Sequence, residues 1–416
     1  MKIEELEIHN FRGIEQLKLE RLHPNMNIIV GINGAGKSSI LDSISILLSW
    51  LLARLKSTSA KGIYPQEKDI RIGAKDPCSL SIVLDDGTSW NICKARNYSL
   101  KRAQTSCKTS LEGMYSLADK ILSEGNTGNS IPIFMYYPVE RAIASAPVNL
   151  HRNKEEAAIW DVYRHALSGN ADFRTLFEWY RRQEDIENEN IRDSSSYRDK
   201  CLETIRKAIG LFFPDFSEMR VRRRPSQSMV VKKGNETIEF TQLSQGEKCY
   251  LSLVCDIARR LAMANPNLED PLKGEGIILI DEADLHLHPK WQSEVAAKLT
   301  SVFSNCQFIL STHSAQVLSD IHKEQIIPIS HGGKMDISFN PYGKLSSSIL
   351  TNYFDLPQNK QRNQAVAQDI ETAFRLIREG KKDEFNMLYQ KLAPILGAND
   401  REMLNLTIEA KRRGLL

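Results

Sequence analysis

Residues 31–38 read Gly31-Ile32-Asn33-Gly34-Ala35-Gly36-Lys37-Ser38, the spacing G-x-x-x-x-G-K-[ST]. The apolar run Met26–Val30 comes before it. After it, Ile40, Leu41, Ile44, Leu47, Leu48 and Leu51 recur on one helical face. A strand that stops at a glycine and opens a helix restricts the chain to α/β layering with a loop at the strand's end. Glycines let the backbone wrap an anion closely, so that the N–H groups of Asn33, Gly34, Ala35 and Gly36 converge on it. Lys37 would then reach the outer phosphates of a nucleotide. Ser38 would ligate magnesium, with Ser39 beside it in the first turn.

The rest of the composition excludes several alternatives. The chain has 416 residues, enough for roughly two to four structural units at about 100–200 residues each. Fifty-five basic and 52 acidic residues leave a net charge of +3, too little to hold nucleic acid by bulk charge. A local basic patch stays open. No run of roughly 18 apolar residues occurs, so no membrane span is expected. Glu4, Glu5 and Glu7 follow Lys2 where a signal peptide would have its apolar core. The seven cysteines form no Cys-x-x-Cys pair, which suits reduced thiols in the cytoplasm.

Strand-like alternation fills the first 30 residues, and a hairpin is expected around Asp85-Asp86-Gly87. Residues 97–130 are polar and read as a loop or mobile element, and 131–137 as a strand. The pattern turns helical near 150 and stays so to about 213, with Phe173, Leu176, Phe177 and Tyr180 on one face. Strands return at 219–224 and 229–240, the second turning at Gly234-Asn235. Then come a helix, an apolar strand at 277–280, a helix, a strand at 307–310, and helices beyond 341. The expected divisions are 1–149, 150–216, 217–340 and 341–416.

Four further groups bear on chemistry. The strand 277–280 ends in Asp281 and Glu282. One carboxylate there can hold a magnesium shell and the other can polarise a water, although two solvated acids would look the same. Leu243-Ser244-Gln245-Gly246-Glu247 precedes a helix, where Ser244 and Gly246 suit an anion or an ordinary N-cap with a capping box. Ser311-Thr312-His313-Ser314 follows the next strand. Arg220, Arg222, Arg223, Arg224, Lys232 and Lys233 form the strongest basic cluster. Alternation puts Arg220, Arg222 and Arg224 on one face, as a solvated sheet surface or as a DNA or RNA contact. His286 and His288 are a conceivable metal pair lacking a third ligand.

The order phosphate loop, signature, acidic strand, histidine resembles the ABC-type ATPases. Their signature reads L-S-G-G-Q, from which this chain departs at Gln245 and Glu247. Asn10-Phe11-Arg12-Gly13 resembles the N-F-R-[SG] opening of the SMC, Rad50 and RecF branch, and 283–289 resembles that branch's D-loop. The resemblance covers about 1–145 and 217–335. It implies an α/β P-loop ATPase head with mixed β-sheets, a helical insert and a helical C-terminal extension. It implies ATP and Mg2+ as cofactors, Ser38 and Asp281 at the metal, and Glu282 and His313 in catalysis. Arg12 is implied near the nucleotide. The signature serine is implied to act across an ATP sandwich, giving a homodimer or higher homo-oligomer with Ser244 acting in trans. Where the family's magnesium-sensing glutamine belongs, the chain has Tyr137-Pro138-Val139-Glu140-Arg141, with Glu140 as a substitute.

Residues 136–141 and 171–180 look like stand-alone bacterial anti-phage ATPases, those of Septu systems and their retron-linked versions, which are paired with a separate HNH nuclease. A defence ATPase with its nuclease or other effector in trans is one reading. A repair ATPase that holds duplex DNA is a second, and a transporter subunit is the weakest. The helices of 341–416 are expected to dock a partner or to pack on their own head.

Overall fold

The computed structural model describes residues 1–96, 108–139, 159–167, 173–397 and 399–416. Strands β1 (Ile3–Phe11) and β2 (Ile14–Leu19) pair antiparallel, and β4 (Cys78–Leu84) and β5 (Ser89–Lys94) extend them into a sheet ordered β2-β1-β4-β5. Ile3, Leu6, Ile8 and Phe11 of β1 are buried; Leu6 and Ile8 keep two-residue phase, Ile3 departs from it, and Phe11 follows Asn10, whose φ is 51°. A register shift against β4 between Ile3 and Glu5 restores the phase, the usual work of a bulge. The turn at Asp85-Asp86-Gly87 joins β4 to β5.

The second sheet positions the site. It comprises β3 (Met26–Val30), β6 (Ile133–Tyr137), β10 (Gly276–Ile280), β11 (Cys306–Thr312), β12 (Ile326–Ser330) and β13 (Gly333–Lys334), in the order β13-β12-β3-β11-β10-β6. All its neighbours are parallel except the β12–β13 pair. Residues of β3, β6, β10 and β11 are buried throughout, which is why these strands read as continuous apolar runs. The exceptions are satisfied. Gln307 on β11 accepts from Ile3 N at 2.7 Å and donates to Ile3 O at 2.9 Å, stitching one sheet to the other.

Helix α1 (Lys37–Lys56) packs against strands of both sheets. Its length and composition would suit a bilayer, and among the described residues it is alone in that. Here it is a core helix: Ile40, Leu41, Leu47, Leu48 and Leu51 are fully enclosed. Helix α2 (Glu112–Asn126) corrects the expectation of a loop over 97–130, while 97–107 lie outside the described residues. Met114, Leu117, Ala118 and Ile121 are buried at helical spacing. Polar residues between them hide that face from a reading of composition.

Helices α3 (Phe173–Asp193) and α4 (Lys200–Phe212) follow, and β7 (Phe216–Arg222), β8 (Ser228–Lys233) and β9 (Glu236–Glu239) form a three-stranded antiparallel sheet. The β8–β9 turn falls at Gly234-Asn235. Helices α5 (Gln245–Ala264), α6 (Pro289–Val302) and the single turn α7 (Ala315–Leu318) complete a compact unit, Met1–Lys344.

Leu345–Leu416 forms a second compact unit, with α8 (Ser346–Tyr353), α9 (Gln364–Glu379), α10 (Lys382–Leu396) and α11 (Arg401–Arg412). Ile370, Ala373, Ile377, Phe385, Leu392, Met403 and Leu406 form its core. Val366, Phe374, Leu388 and Leu396 lie at its margin. Asn363 and Asp400 cap α9 and α11, and Gly380 ends α9 in a left-handed conformation.

Phe385→Ala should remove about 3–5 kcal/mol from the C-terminal unit. Hydrogen exchange will then accelerate across 345–416 while β3 keeps its protection; equal acceleration in β3 would contradict a separate core.

Candidate functional site

The carboxyl ends of β3, β11 and β10 lie side by side, the place where parallel sheets bind ligands. The β3 end opens the phosphate loop. Gly36 stands at the N-cap of α1 with φ 104°, and no side chain caps that helix. Its first-turn N–H groups are therefore left for an anion. A Cβ on Gly31 would come within 2.2 Å of the Ile329 carbonyl oxygen. Close backing of the loop thus requires glycine there. Gly332 N also donates to Ala35 O at 3.1 Å, so the β12–β13 turn supports the loop from behind.

Lys37 is buried, and its ammonium donates to Gly31 O at 2.9 Å and Ile32 O at 3.1 Å. Burial lowers its pKa, opposed by the charges of Asp281, Glu282 and Asp284. These three acids therefore face the loop from the β10 end. Asp281 is buried: its N donates to Tyr137 O at 2.8 Å, and its Oδ1 accepts from Ser311 Oγ. The same hydroxyl accepts from Glu282 N at 2.8 Å. Glu282 has φ 46°, a left-handed conformation rare for a residue with a side chain. Asp284 Oδ1 accepts from Thr312 Oγ1, and from His313 N at 3.2 Å. Burial, then the Lys37 charge, lowers the His313 pKa below its ordinary value. That shift favours the neutral ring.

Lys37, Asp281, Glu282 and His313 are thus brought together by the sheet. The donor set suits a polyphosphate with a hard cation: the uncapped first-turn N–H groups of α1, an ammonium, the Ser38 hydroxyl and a carboxylate, although Ala35 N donates to Ile32 O at 3.2 Å within the loop.

Ser244 and Gly246 sit apart, at the start of α5. Ser244 is the N-cap, with a reciprocal capping box to Glu247. A Cβ on Gly246 would lie 2.3 Å from the His286 carbonyl oxygen, so the signature turn packs directly on 286–287. Tyr250 OH donates to Ala283 O, tying α5 to the segment after Glu282. Buried Asp256, further along α5, accepts from Arg259, Arg260 and Tyr137 OH. Burial opposes its ionisation, yet Arg260 and Arg259 hold its carboxyl well below the usual range.

Arg12 has φ 51°, and its guanidinium pairs with Asp42 of α1 and, at 2.9 Å, with Asp69. Tyr136 OH donates to Asp42 at 2.7 Å. Arg12 is thus anchored beside the first turns of α1 by two carboxylates that no motif had marked.

Several expectations change. The basic cluster is largely neutralised: Arg222 pairs with Glu239, Arg223 with Glu184 and Asp185, Lys232 with Glu218, and Lys233 with Glu247. Strand β7 ends at Arg222, so Arg224 lies beyond it rather than on a shared strand face. Arg220 and Arg224 are exposed and make no ion pair among the described residues. His288 caps α6 through Nδ1, accepting from Lys290 N at 3.3 Å. Among the described residues no group of three side chains could hold a metal with His286 and His288. Glu140 and Arg141 lie outside the described residues, as do Ala171 and Asp172. Ser311, Asp284, Asp42 and Tyr250 were missed as positioning residues. The signal for Ser311 and Asp284 was their place next to recognised motifs; Asp42 and Tyr250 had none.

Gly246→Ala should cost about 1–3 kcal/mol, because its Cβ displaces either the α5 turn or the 286–287 backbone. An unchanged melting temperature would contradict that contact.

Comparison with known proteins agrees with this geometry. The family described as RecF/RecN/SMC N terminal domain matches residues 2–335. The Retron Ec83 probable ATPase of Escherichia coli is 30% identical over 484 aligned positions, covering 99% of this chain and 87% of that protein. The Retron Vc95 probable ATPase of Vibrio cholerae serotype O1 biovar El Tor is 29% identical, covering 92% and 85%. The Septu protein PtuA of Bacillus thuringiensis is 23% identical, covering 80% and 77%. A phosphate loop, acidic strand end and histidine on one parallel sheet, within a match that spans most of the chain, make this protein an ATPase of the RecF/RecN/SMC N-terminal domain family.

Proposed function

We propose that this ATPase is the nucleotide-driven switch of an anti-phage defence complex in the cytoplasm. Two copies close on ATP, and the closed and open forms control a separate effector, an HNH-type nuclease. The observation that carries the reading is the similarity along 99% of the chain to a retron ATPase. The sandwich has its own support. Ser244 is exposed at the N-terminus of α5, and its hydrogen bonds go to Glu247. That arrangement suits a half-site completed by a facing subunit.

In this mechanism the loop N–H groups and Lys37 hold the phosphates of ATP. Ser38 and Asp281 would hold magnesium, which supplies positive charge to the phosphate oxygens when bound. Glu282 accepts the proton of the attacking water, its backbone held by Ser311. His313 lies at the same strand ends, its backbone N–H held by Asp284. ATP shifts the population of closed pairs because only the triphosphate joins both half-sites.

A second reading, direct contact with duplex DNA as in a repair ATPase, is favoured by Arg220 and Arg224 alone. Replacing both with Ala should lower the salt slope of any DNA or RNA binding by up to about 0.9 per lost phosphate contact. An unchanged slope leaves the two arginines as a solvated surface.

Lys37→Ala should lose ATP affinity, measured by titration. Glu282→Gln should keep that affinity while hydrolysis falls about 10²–10⁴-fold and the closed pair accumulates. Equal mixing of Lys37→Ala and Ser244→Arg chains makes half of the pairs mixed, each with one intact site. Activity should return to about a quarter of wild type if the sites act independently, and to less if they are coupled. No recovery, with subunit exchange confirmed and no ATP-induced pairing of Glu282→Gln chains, would overturn the sandwich.

A further inference from the structure

Glu247 of the signature turn has two partners in the structure, the capping-box serine Ser244 and Lys233. Ser244 Oγ has one proton, which it donates to Glu247 Oε2 at 2.8 Å. It also accepts from Glu247 N at 3.3 Å. Oε2 takes a second bond from Ser244 N at 2.9 Å. The hydroxyl meant for an anion is thus engaged by a carboxylate within its own turn. That carboxylate occupies the positive end of α5, where an incoming phosphate would otherwise be attracted.

Glu247 Oε1 faces Lys233, whose ammonium donates to it at 2.6 Å. Lys233 is the last residue of β8, and its ammonium lies 5.6 Å from the centre of the Phe216 ring. It is therefore presented from the end of a paired strand. Glu247 is largely enclosed whereas Lys233 is half-exposed. Burial opposes ionisation of Glu247, but the bonds from Lys233 and Ser244 lower its pKa below the usual carboxylate range. The signature face therefore carries a compensated pair; without Lys233 it would carry a bare negative charge.

We propose that Lys233 and Glu247 form a latch on the signature serine. Glu247 holds the Ser244 hydroxyl until the terminal phosphate of a nucleoside triphosphate arrives from the facing subunit. Lys233 is the positioning residue that neutralises Glu247, so that the two anions can share the end of α5. This rests on the ATP-sandwich reading. On arrival the hydroxyl turns its proton from Glu247 to a phosphate oxygen, while Glu247 keeps its bonds from Ser244 N and Lys233. No covalent bond changes. Removing Lys233 leaves like charges facing each other, and removing the Glu247 charge weakens the acceptor that holds the hydroxyl.

The test uses the full chain carrying Glu282→Gln, so that hydrolysis does not dissolve the pairs. The readout is the ATP concentration at half-maximal dimer, by light scattering after size separation. Lys233→Gln should raise it about tenfold, and Lys233→Arg should restore it nearly to the parent value. Glu247→Gln should lower it several-fold, and the double variant should match Glu247→Gln because no charge remains to neutralise. ATP affinity of the isolated head, measured in a Ser244→Arg background, should stay unchanged throughout. If Lys233→Gln folds poorly, Glu247→Gln decides together with Glu247→Asp, which keeps the charge but draws the carboxylate away from the hydroxyl: tighter pairing from both supports the latch, and tighter pairing from Glu247→Gln alone overturns it in favour of charge repulsion. Variants that shift the melting temperature but not the half-maximal ATP would reduce the pair to helix capping and overturn the proposal. A parent that never dimerises with ATP would instead overturn the sandwich itself, and the latch with it.

Discussion

One serine hydroxyl stands at the centre of this head. Ser311 Oγ donates to Asp281 and accepts from Glu282 N, while Ser311 O accepts from Ala283 N. It can do so because β11 runs between β3 and β10, one strand from each. The parallel register puts Ser311 one residue past the last rung shared with β10, where the acids begin. A slip along β11 would separate the hydroxyl from both acids and move His313 away from Asp284. The site is therefore held by sheet register more than by any loop.

The same head uses buried polar groups to tie its layers together. Gln307 joins the two sheets through the Ile3 backbone, and Asp256 joins α5 to β6 through Tyr137. Each polar atom named here has a partner, which is the condition for keeping it in a densely packed interior. These links run toward the site. Tyr137 O accepts from Asp281 N, and Tyr250 of α5 reaches Ala283. A displacement of the signature helix thus meets the backbone on either side of Glu282 through hydrogen bonds rather than through soft apolar contact. The C-terminal unit has a core of its own, built by three amphipathic helices with side-chain caps on two of them.

Most of the site's chemistry was legible in the sequence because its parts are contiguous. A phosphate loop needs its glycines, lysine and serine within eight positions, and an acidic strand end needs only a run of apolar residues before two carboxylates. The parallel strands were legible for a related reason: burial on both faces leaves unbroken apolar runs such as 26–30 and 277–280. Helix α2 was not, since its five buried residues are diluted by ten others. The basic cluster misled because charge along a strand says nothing about what stands opposite. Arg222 and Lys232 meet Glu239 and Glu218 through pairing of β7, β8 and β9.

The sequence by itself determined the chemical groups: which residues can wrap phosphates, which can hold a cation, and which can move a proton. It also determined that the chain is an α/β head with helices beyond it, since hydrophobic period and turn residues act over a few positions. Only the tertiary structure decided which groups share a bond. Arg12 meets Asp42 and Asp69, Lys233 meets Glu247, and Ser311 meets Asp281, pairs separated by 14 to 57 positions. Their meeting depends on sheet order, strand register and helix placement, which the packing of the whole core sets. A hydrogen bond needs its partners within about 3 Å, and no local pattern carries that information across so many residues.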